Sequence, residues 1–419
     1  MKKNGFTLVE ITVCVVLLVT IFLIVVPKVN TMINNKKKNA YNSLISTVKD
    51  AAQAYVYLNV NIVDDAIESQ GYYEVSIRTL QENELLENKL ENPLTGKNIP
   101  STSIVKIIKN NEEYIYKFSL DYQYLLEHII DLYSSEETRI SNGLKKDNTP
   151  DQNIRYYGSN PNNYVSFNNE LWRIIGVFGN NVKLVRKDSL GSLSWDSSES
   201  SINGGFGVNE WSQADLQVYL NKMYYGGDTT VTCYGGTKNS TTTCPTNILD
   251  NTAKTLIDNH TWNTGAIEYN TRTDTVAFYK DERGNQTGKI CNGGTFCSDT
   301  VERTTTWTGY IGLPYPTDYA YASGENICET NMVKQDSSDA YICENNNWMF
   351  KSIWYWTLSP FARSANSRYV WYVNGDGDVN NSNAASGGAV FPAIYLKSNV
   401  LIESGAGTSS NPYILKAGS

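Results

Sequence analysis

Trp354-Tyr355-Trp356-Thr357-Leu358-Ser359-Pro360 is followed by Arg368-Tyr369-Val370-Trp371-Tyr372-Val373, and past Asn374-Gly375-Asp376-Gly377-Asp378-Val379 by Gly387-Gly388-Ala389-Val390-Phe391-Pro392-Ala393-Ile394-Tyr395-Leu396. Aromatic and β-branched side chains fit a pleated, half-buried surface, so these runs read as the closing strands of a folded domain. Gly375 and Gly377 suit a hairpin turn. Residues 362–386 are crowded with Arg, Asn, Ser, Tyr, Trp and Asp. These are adaptable hydrogen bonders and rigid aromatic anchors, the composition that recognition loops favour. The candidate ligand-binding residues are therefore Arg363, Asn366, Arg368, Tyr369, Trp371, Tyr372, Asn374, Asp376, Asp378, Asn380, Asn381 and Asn383. The competing reading is an ordinary hydrophilic hairpin. Asn374, Asp376, Asp378 and Asn380 also alternate as calcium ligands can. Val379 and Ala385 stand where a calcium loop needs its sharp-turn glycine and closing glutamate, so no metal or cofactor is expected.

Working upstream, all nine tryptophans lie between Trp172 and Trp371, enough aromatic bulk to build a core with few long helices. Leu171 to Phe178 and Val182 to Arg186 read as a hairpin turning at Gly179-Asn180-Asn181. Trp211 to Leu220 reads as an amphipathic helix capped by Ser212, and Thr252 to Asp258 as a second helix. From Ser141 to Pro161 the chain turns polar, which places a domain boundary there. Before it, Leu125 to Leu132 reads as a short helix, and Ile104 to Ile108 with Tyr114 to Phe118 as a hairpin. Tyr41, Leu44, Ile45, Val48, Ala52 and Tyr55 recur at helical spacing.

The N-terminus is Met1-Lys2-Lys3-Asn4-Gly5, then Phe6-Thr7-Leu8-Val9-Glu10 and an apolar run to Val26. Glu10 is its one charge, and the run is long enough to span a hydrocarbon core as a helix. Lys2 and Lys3 keep the leader cytoplasmic and place the chain beyond the run outside. An ordinary secretory signal has a shorter core and a small-residue cleavage site. Formal net charge is -8, and the only basic run is Lys36-Lys37-Lys38, so no nucleic-acid partner is expected. Apart from Cys14, the cysteines are Cys233, Cys244, Cys291, Cys297, Cys328 and Cys343. An even number in an exported region favours disulfides, and local pairs 233–244, 291–297 and 328–343 each close a short loop. Free, buried thiols are the alternative.

Gly5, Phe6, Thr7, Leu8, Val9 and Glu10 closely resemble the prepilin leader of the type IV pilin and type II secretion pseudopilin families. The resemblance implies cleavage between Gly5 and Phe6 by a prepilin peptidase, usually with N-methylation, and assembly with other pilin subunits. It also implies a register role for Glu10, whose carboxylate is costly in hydrocarbon unless a neighbour's Phe6 ammonium pairs with it. Residues 155 to 415 resemble C-type-lectin-like domains related to formylglycine-generating enzymes, on the tryptophan-rich strand and Ala389-Val390-Phe391-Pro392. Phe391 stands where that family often has Arg. Such domains display ligand-binding loops on bacterial and phage surfaces.

The expected fold class is α+β: a long N-terminal pilin helix with a small αβ head, then an irregular α+β C-type-lectin-like domain. The expected divisions are a leader at 1–5, a transmembrane helix at 6–58, a head at 59–148 and the lectin-like domain at 149–419. The expected function is a minor pilin-like surface protein, membrane-inserted before assembly, that displays a domain binding an unknown surface glycan or protein. The alternative is a pseudopilin of a secretion or DNA-uptake machine with a structural cap. No enzyme is expected. No cysteine follows Cys343, His260 has no nucleophile motif nearby, and Gly204-Gly205-Phe206-Gly207 lacks the lysine of a phosphate loop.

Overall fold

The computed structural model describes residues 36, 39–41, 43–93, 98–110, 113–119, 123–134, 136–268, 274–284, 304–333, 343–362 and 367–418. Gly5, Phe6, Glu10, the apolar run and Cys14 lie outside the described residues, as do Cys291, Cys297, Arg363 and Asn366. The chain forms two compact units, divided between Gln123 and Tyr124.

In the first unit residues 43–58 are helical, and the stripe at helical spacing buries Val48, Ala52 and Tyr55. The helix stops at Asn59, whose side-chain amide donates to the Tyr55 carbonyl at 3.0 Å. A separate helix, Val60–Gln70, ends at Gly71 with φ 87°, a left-handed geometry that glycine adopts without strain. Tyr73–Ser76, Ile104–Asn110 and Glu113–Ser119 make an antiparallel sheet. Val105 and Ile107 share one core with Val48, Ala52 and Leu80.

The second unit is built on two sheets. One runs, strand by strand, through Ile311–Gly312, Ala393–Leu396, Asn181–Arg186, Glu170–Phe178, Tyr164–Phe167, Tyr413–Ala417 and Val400–Ser404. The hairpin expected near Gly179 is present, with Phe178 opposite Asn181. The other sheet orders Ser192–Ser194, Gly387–Ala389, Tyr355–Ala362, Tyr369–Val373 and Val379–Asn383. The boundary expected at 148/149 falls inside this unit. Leu144–Lys146 pairs with Ile154–Tyr156, and Leu125 and Ile129 are buried in the same core as Trp172. The polar composition there reflects a loop within a domain.

These facts overturn the expected fold class. Among the described residues strands dominate, and no long N-terminal helix is present. The α-helices of the second unit run from four residues, as in Asp215–Val218, to ten, in Leu125–Ser134. Period-two segments pair into continuous sheets through a region that composition suggested was irregular. Among the described residues no helix is long and apolar enough to cross a membrane. The Ser212 cap is also corrected: Ser212 lies in a tight turn, its N–H held by Glu210, and Ala214 precedes the helix. Asp250 caps Asn251–Leu256 by accepting from the Ala253 N–H at 2.7 Å.

Two disulfides are formed, Cys233–Cys244 and Cys328–Cys343. The core also holds ions. Arg155, fully buried, donates to Asp147 at 2.9 Å and to Asp318 at 2.6 Å, and Lys183 donates to the other Asp318 oxygen at 2.6 Å. Buried charges survive only when paired in this way.

Candidate functional site

Tyr369–Val373 and Val379–Asn383 form an antiparallel hairpin, and the latter strand is the edge of its sheet. Successive side chains point to opposite faces, and this decides which candidates face solvent. Trp371 points inward. It is fully buried, 4.9 Å from the rings of both Phe278 and Phe361, and its indole N–H donates to the Ile267 carbonyl at 3.3 Å. Asp378 is buried too. Both belong to the domain interior, so neither presents a side chain to a ligand.

Tyr372 points the other way and is half-buried. Its ring packs against Trp354 at 5.2 Å and Trp356 at 6.4 Å, and Trp354 meets Trp356 at 5.1 Å. Trp356 is fully buried and forms the floor, while Trp354 stays half-buried. Asn380, directly across the ladder from Tyr372, is exposed. Gly388 makes the close packing possible: a Cβ there would meet the Trp354 ring at 2.6 Å and the Trp356 Nε1 at 2.7 Å. The result is a ledge of two aromatic faces beside the exposed Asn380 side chain, whose Oδ1 accepts from the Asn381 N–H at 2.8 Å and whose Nδ2 lies 3.5 Å from Asp378. Burial, then the charges of Asp378 and Asp376, raise the Tyr372 pKa, so its hydroxyl remains a neutral donor at physiological pH.

The turn beside the ledge is tight. The Asn374 N–H donates to the Asp378 carbonyl at 2.7 Å, and Gly377 takes φ 91°. Asn374 spends its side-chain oxygen on the Gly375 N–H at 2.8 Å, leaving Asp376 exposed at the tip. Asn381 is part-exposed on the opposite face to Asn380.

At the far end of the hairpin, Tyr369 is paired across the ladder with Asn383. The Arg368 guanidinium lies 4.6 Å from the Phe206 ring and donates to the Tyr369 hydroxyl at 3.1 Å. Arg368 Nε and Asn383 Oδ1 are buried with no hydrogen-bond partner among the described residues. An unsatisfied buried donor or acceptor costs about 1–3 kcal/mol, so each has a use for a partner group.

The structure thus brings Tyr372, Asp376 and Asn380 to one end of the hairpin and Arg368, Tyr369 and Asn383 to the other. Trp354 was not among the residues singled out for binding. The alternation Trp354-Tyr355-Trp356 held the signal, since it puts both indoles on one face. His260, the other residue noted for chemistry, stacks on Tyr395 at 3.7 Å with its Nδ1 3.1 Å from Asp258. Burial lowers its pKa. Compared with known proteins, the chain matches no family model, no curated protein and no solved structure.

Proposed function

We propose that this chain is a pilin-like protein of the bacterial surface, whose second unit binds a glycan or protein through the ledge at Trp354, Tyr372 and Asn380. The observation that carries the binding reading is the ledge itself. Two half-exposed aromatic faces on a rigid, doubly paired sheet, with an amide alongside, suit stacking against a sugar ring or an aromatic side chain. Little side-chain freedom remains to be lost on binding, which favours affinity. The surface reading is supported by the Gly5-Phe6 junction, the apolar run to Val26 and Glu10. In this reading a prepilin peptidase removes residues 1–5, the run anchors the chain in the cell membrane, and Glu10 sets register on assembly with other subunits.

The test is a glycan and host-protein array probed with the oxidised full chain and with Trp354→Ala. A ligand bound by the native chain and lost at least tenfold in the variant supports the ledge. Equal binding by both places the site elsewhere, and no binding by a folded chain favours a structural cap on a pseudopilin. N-terminal sequencing that begins at Met1 rather than Phe6 in the native host would sink the processing step.

A further inference from the structure

Neighbouring residues of the Glu170–Phe178 strand face opposite ways, so Trp172 fills the core while Arg173 turns to the other side of the sheet. Arg173 is nonetheless only 5% exposed. Its Nε donates to Asn163 Oδ1 at 2.7 Å and its Nη2 to the Pro161 carbonyl at 3.3 Å. Asn163 is fixed in turn, its Nδ2 donating to the Ile174 carbonyl at 2.7 Å. The guanidinium lies against two rings, 4.0 Å from the Tyr164 centroid and 4.7 Å from that of Trp348. Every one of these partners is neutral. Arg155, similarly buried, holds two carboxylates, whereas Arg173 meets none among the described residues. Its Nη1 takes no partner among them either and, unlike the sealed Nη2 of Arg155, stays open to solvent.

That open side belongs to a narrow cleft, which Arg173 lines with Lys351, Trp348, Met349, Tyr355 and Phe391. The enclosed part measures about 10 Å³, room for one water-sized group. Lys351 Nζ spends one donor on the Lys187 carbonyl at 3.2 Å and meets no carboxylate among the described residues. The other cations on the cleft wall are already neutralised, Arg186 by Glu170 at 2.9 Å and Lys187 by Asp188 at 3.1 Å. Arg173 and Lys351 thus share one cleft as two cations without an acid. A buried charge is costly unless it is paired.

We propose that the cleft between Arg173 and Lys351 binds a carboxylate, the head group of a small organic acid or of an acidic sugar. One carboxylate oxygen takes the open Arg173 Nη1 and the other takes Lys351 Nζ, two charge-assisted hydrogen bonds of the stronger kind. The number of donors sets the class. A sulfate or phosphate brings more oxygens and a firmer hydration shell than two donors can replace, while a planar carboxylate fits a slot this narrow. The apolar walls of Met349 and Phe391 keep the pairing dry and so strengthen it. The Asn163 bond and the two rings hold the guanidinium in place beforehand, which leaves little ordering to be done on binding. The missing acid also registers electrostatically. Burial, then the charges of Arg173 and Lys187, pulls Lys351 down to about 8, and Asp188 offsets only part of this. The site is separate from the ledge and does not rest on it.

The test is thermal unfolding of the oxidised full chain in sodium glucuronate, sodium acetate, sodium sulfate or glucose, with ionic strength held by sodium chloride. Glucuronate should raise Tm saturably and glucose should not, because a ligand of the native state stabilises it by mass action. Acetate saturating at the same concentration as glucuronate assigns the site to the carboxylate head alone, and glucuronate saturating at least several-fold lower assigns it to the acidic sugar. Lys351→Met, folded by circular dichroism, should need at least tenfold more of either. Lysine acetylation of the native chain, read by mass spectrometry, locates the site without a variant, since glucuronate should protect Lys351 at least several-fold. No saturable shift with either carboxylate, sulfate acting at lower concentration than both, an undiminished shift in Lys351→Met, or an unprotected Lys351 would each overturn the proposal.

Discussion

Trp371→Ala separates the two readings of the hairpin, because sequence composition places Trp371 among ligand-contacting residues and the structure places it in the core. The indole is fully buried between Phe278 and Phe361, and its N–H satisfies the Ile267 carbonyl. Truncating a buried Trp to Ala costs about 3–5 kcal/mol, from lost transfer energy and the cavity left behind. The lost hydrogen bond adds about 1 kcal/mol, which puts the sum near 5 kcal/mol. For a domain of this size each kcal/mol shifts Tm by about 2 °C, so the variant should melt roughly 10 °C lower. Asn380→Ala, an exposed change on the same hairpin, should stay within about 0.5 kcal/mol of the parent. Thermal unfolding of both full-length variants by near-ultraviolet circular dichroism, which reports aromatic packing, makes the comparison. An unchanged Tm in Trp371→Ala together with abolished ligand binding would refute the assignment and return the indole to the surface.

Gly388→Ala should weaken ligand binding by displacing Trp354, with the array ligand bound at least several-fold less well while the Tm changes little more than overpacking requires, about 1–3 kcal/mol. Retained affinity would show that the ledge tolerates a shifted indole. Stability should fall as pH rises from about 4 toward 7 through Asp196, measured as Tm against pH. Burial, with Asp215 nearby, lifts its carboxyl from 3.8 to about 7, so the folded state holds a proton that the unfolded state has released, and Asp196→Asn should flatten that slope. A double Cys328→Ser, Cys343→Ser variant should lose about 3 kcal/mol in chemical denaturation, the value for a loop of some 15 residues. A midpoint that does not move would mean the native chain carries free thiols there.

Local patterns were legible where the signal was itself local. The alternating apolar runs on either side of Gly179-Asn180 pair as a hairpin, since turn geometry and period two both act over a few residues. The helical stripe through Val48, Ala52 and Tyr55 buries its apolar face for the same reason. Cys233–Cys244 and Cys328–Cys343 are bonded as short-loop closure suggested. The Ser212 cap failed because its hydroxyl donates to Glu210 at 2.7 Å, while the Asp215 N–H three residues on goes to Asp196 at 3.2 Å, a competitor that a capping pattern does not register.

Sequence alone determined the hairpin turns, the helical stripe and the content of the closing strands, because propensity and periodicity act between near neighbours. Only tertiary structure decided the fold class, the division at Gln123 and which side of the last hairpin is solvent-exposed. Trp371 and Tyr372 are adjacent and similar in composition, yet one fills the core and the other borders solvent. What separates them is the position of a sheet against Phe278 and Phe361, residues that reach Trp371 only once the chain has folded. The cluster of Arg155, Lys183 and Asp318 was hidden for the same reason: Asp318 lies far in sequence from its two partners, and it is burial that gives their charges consequence.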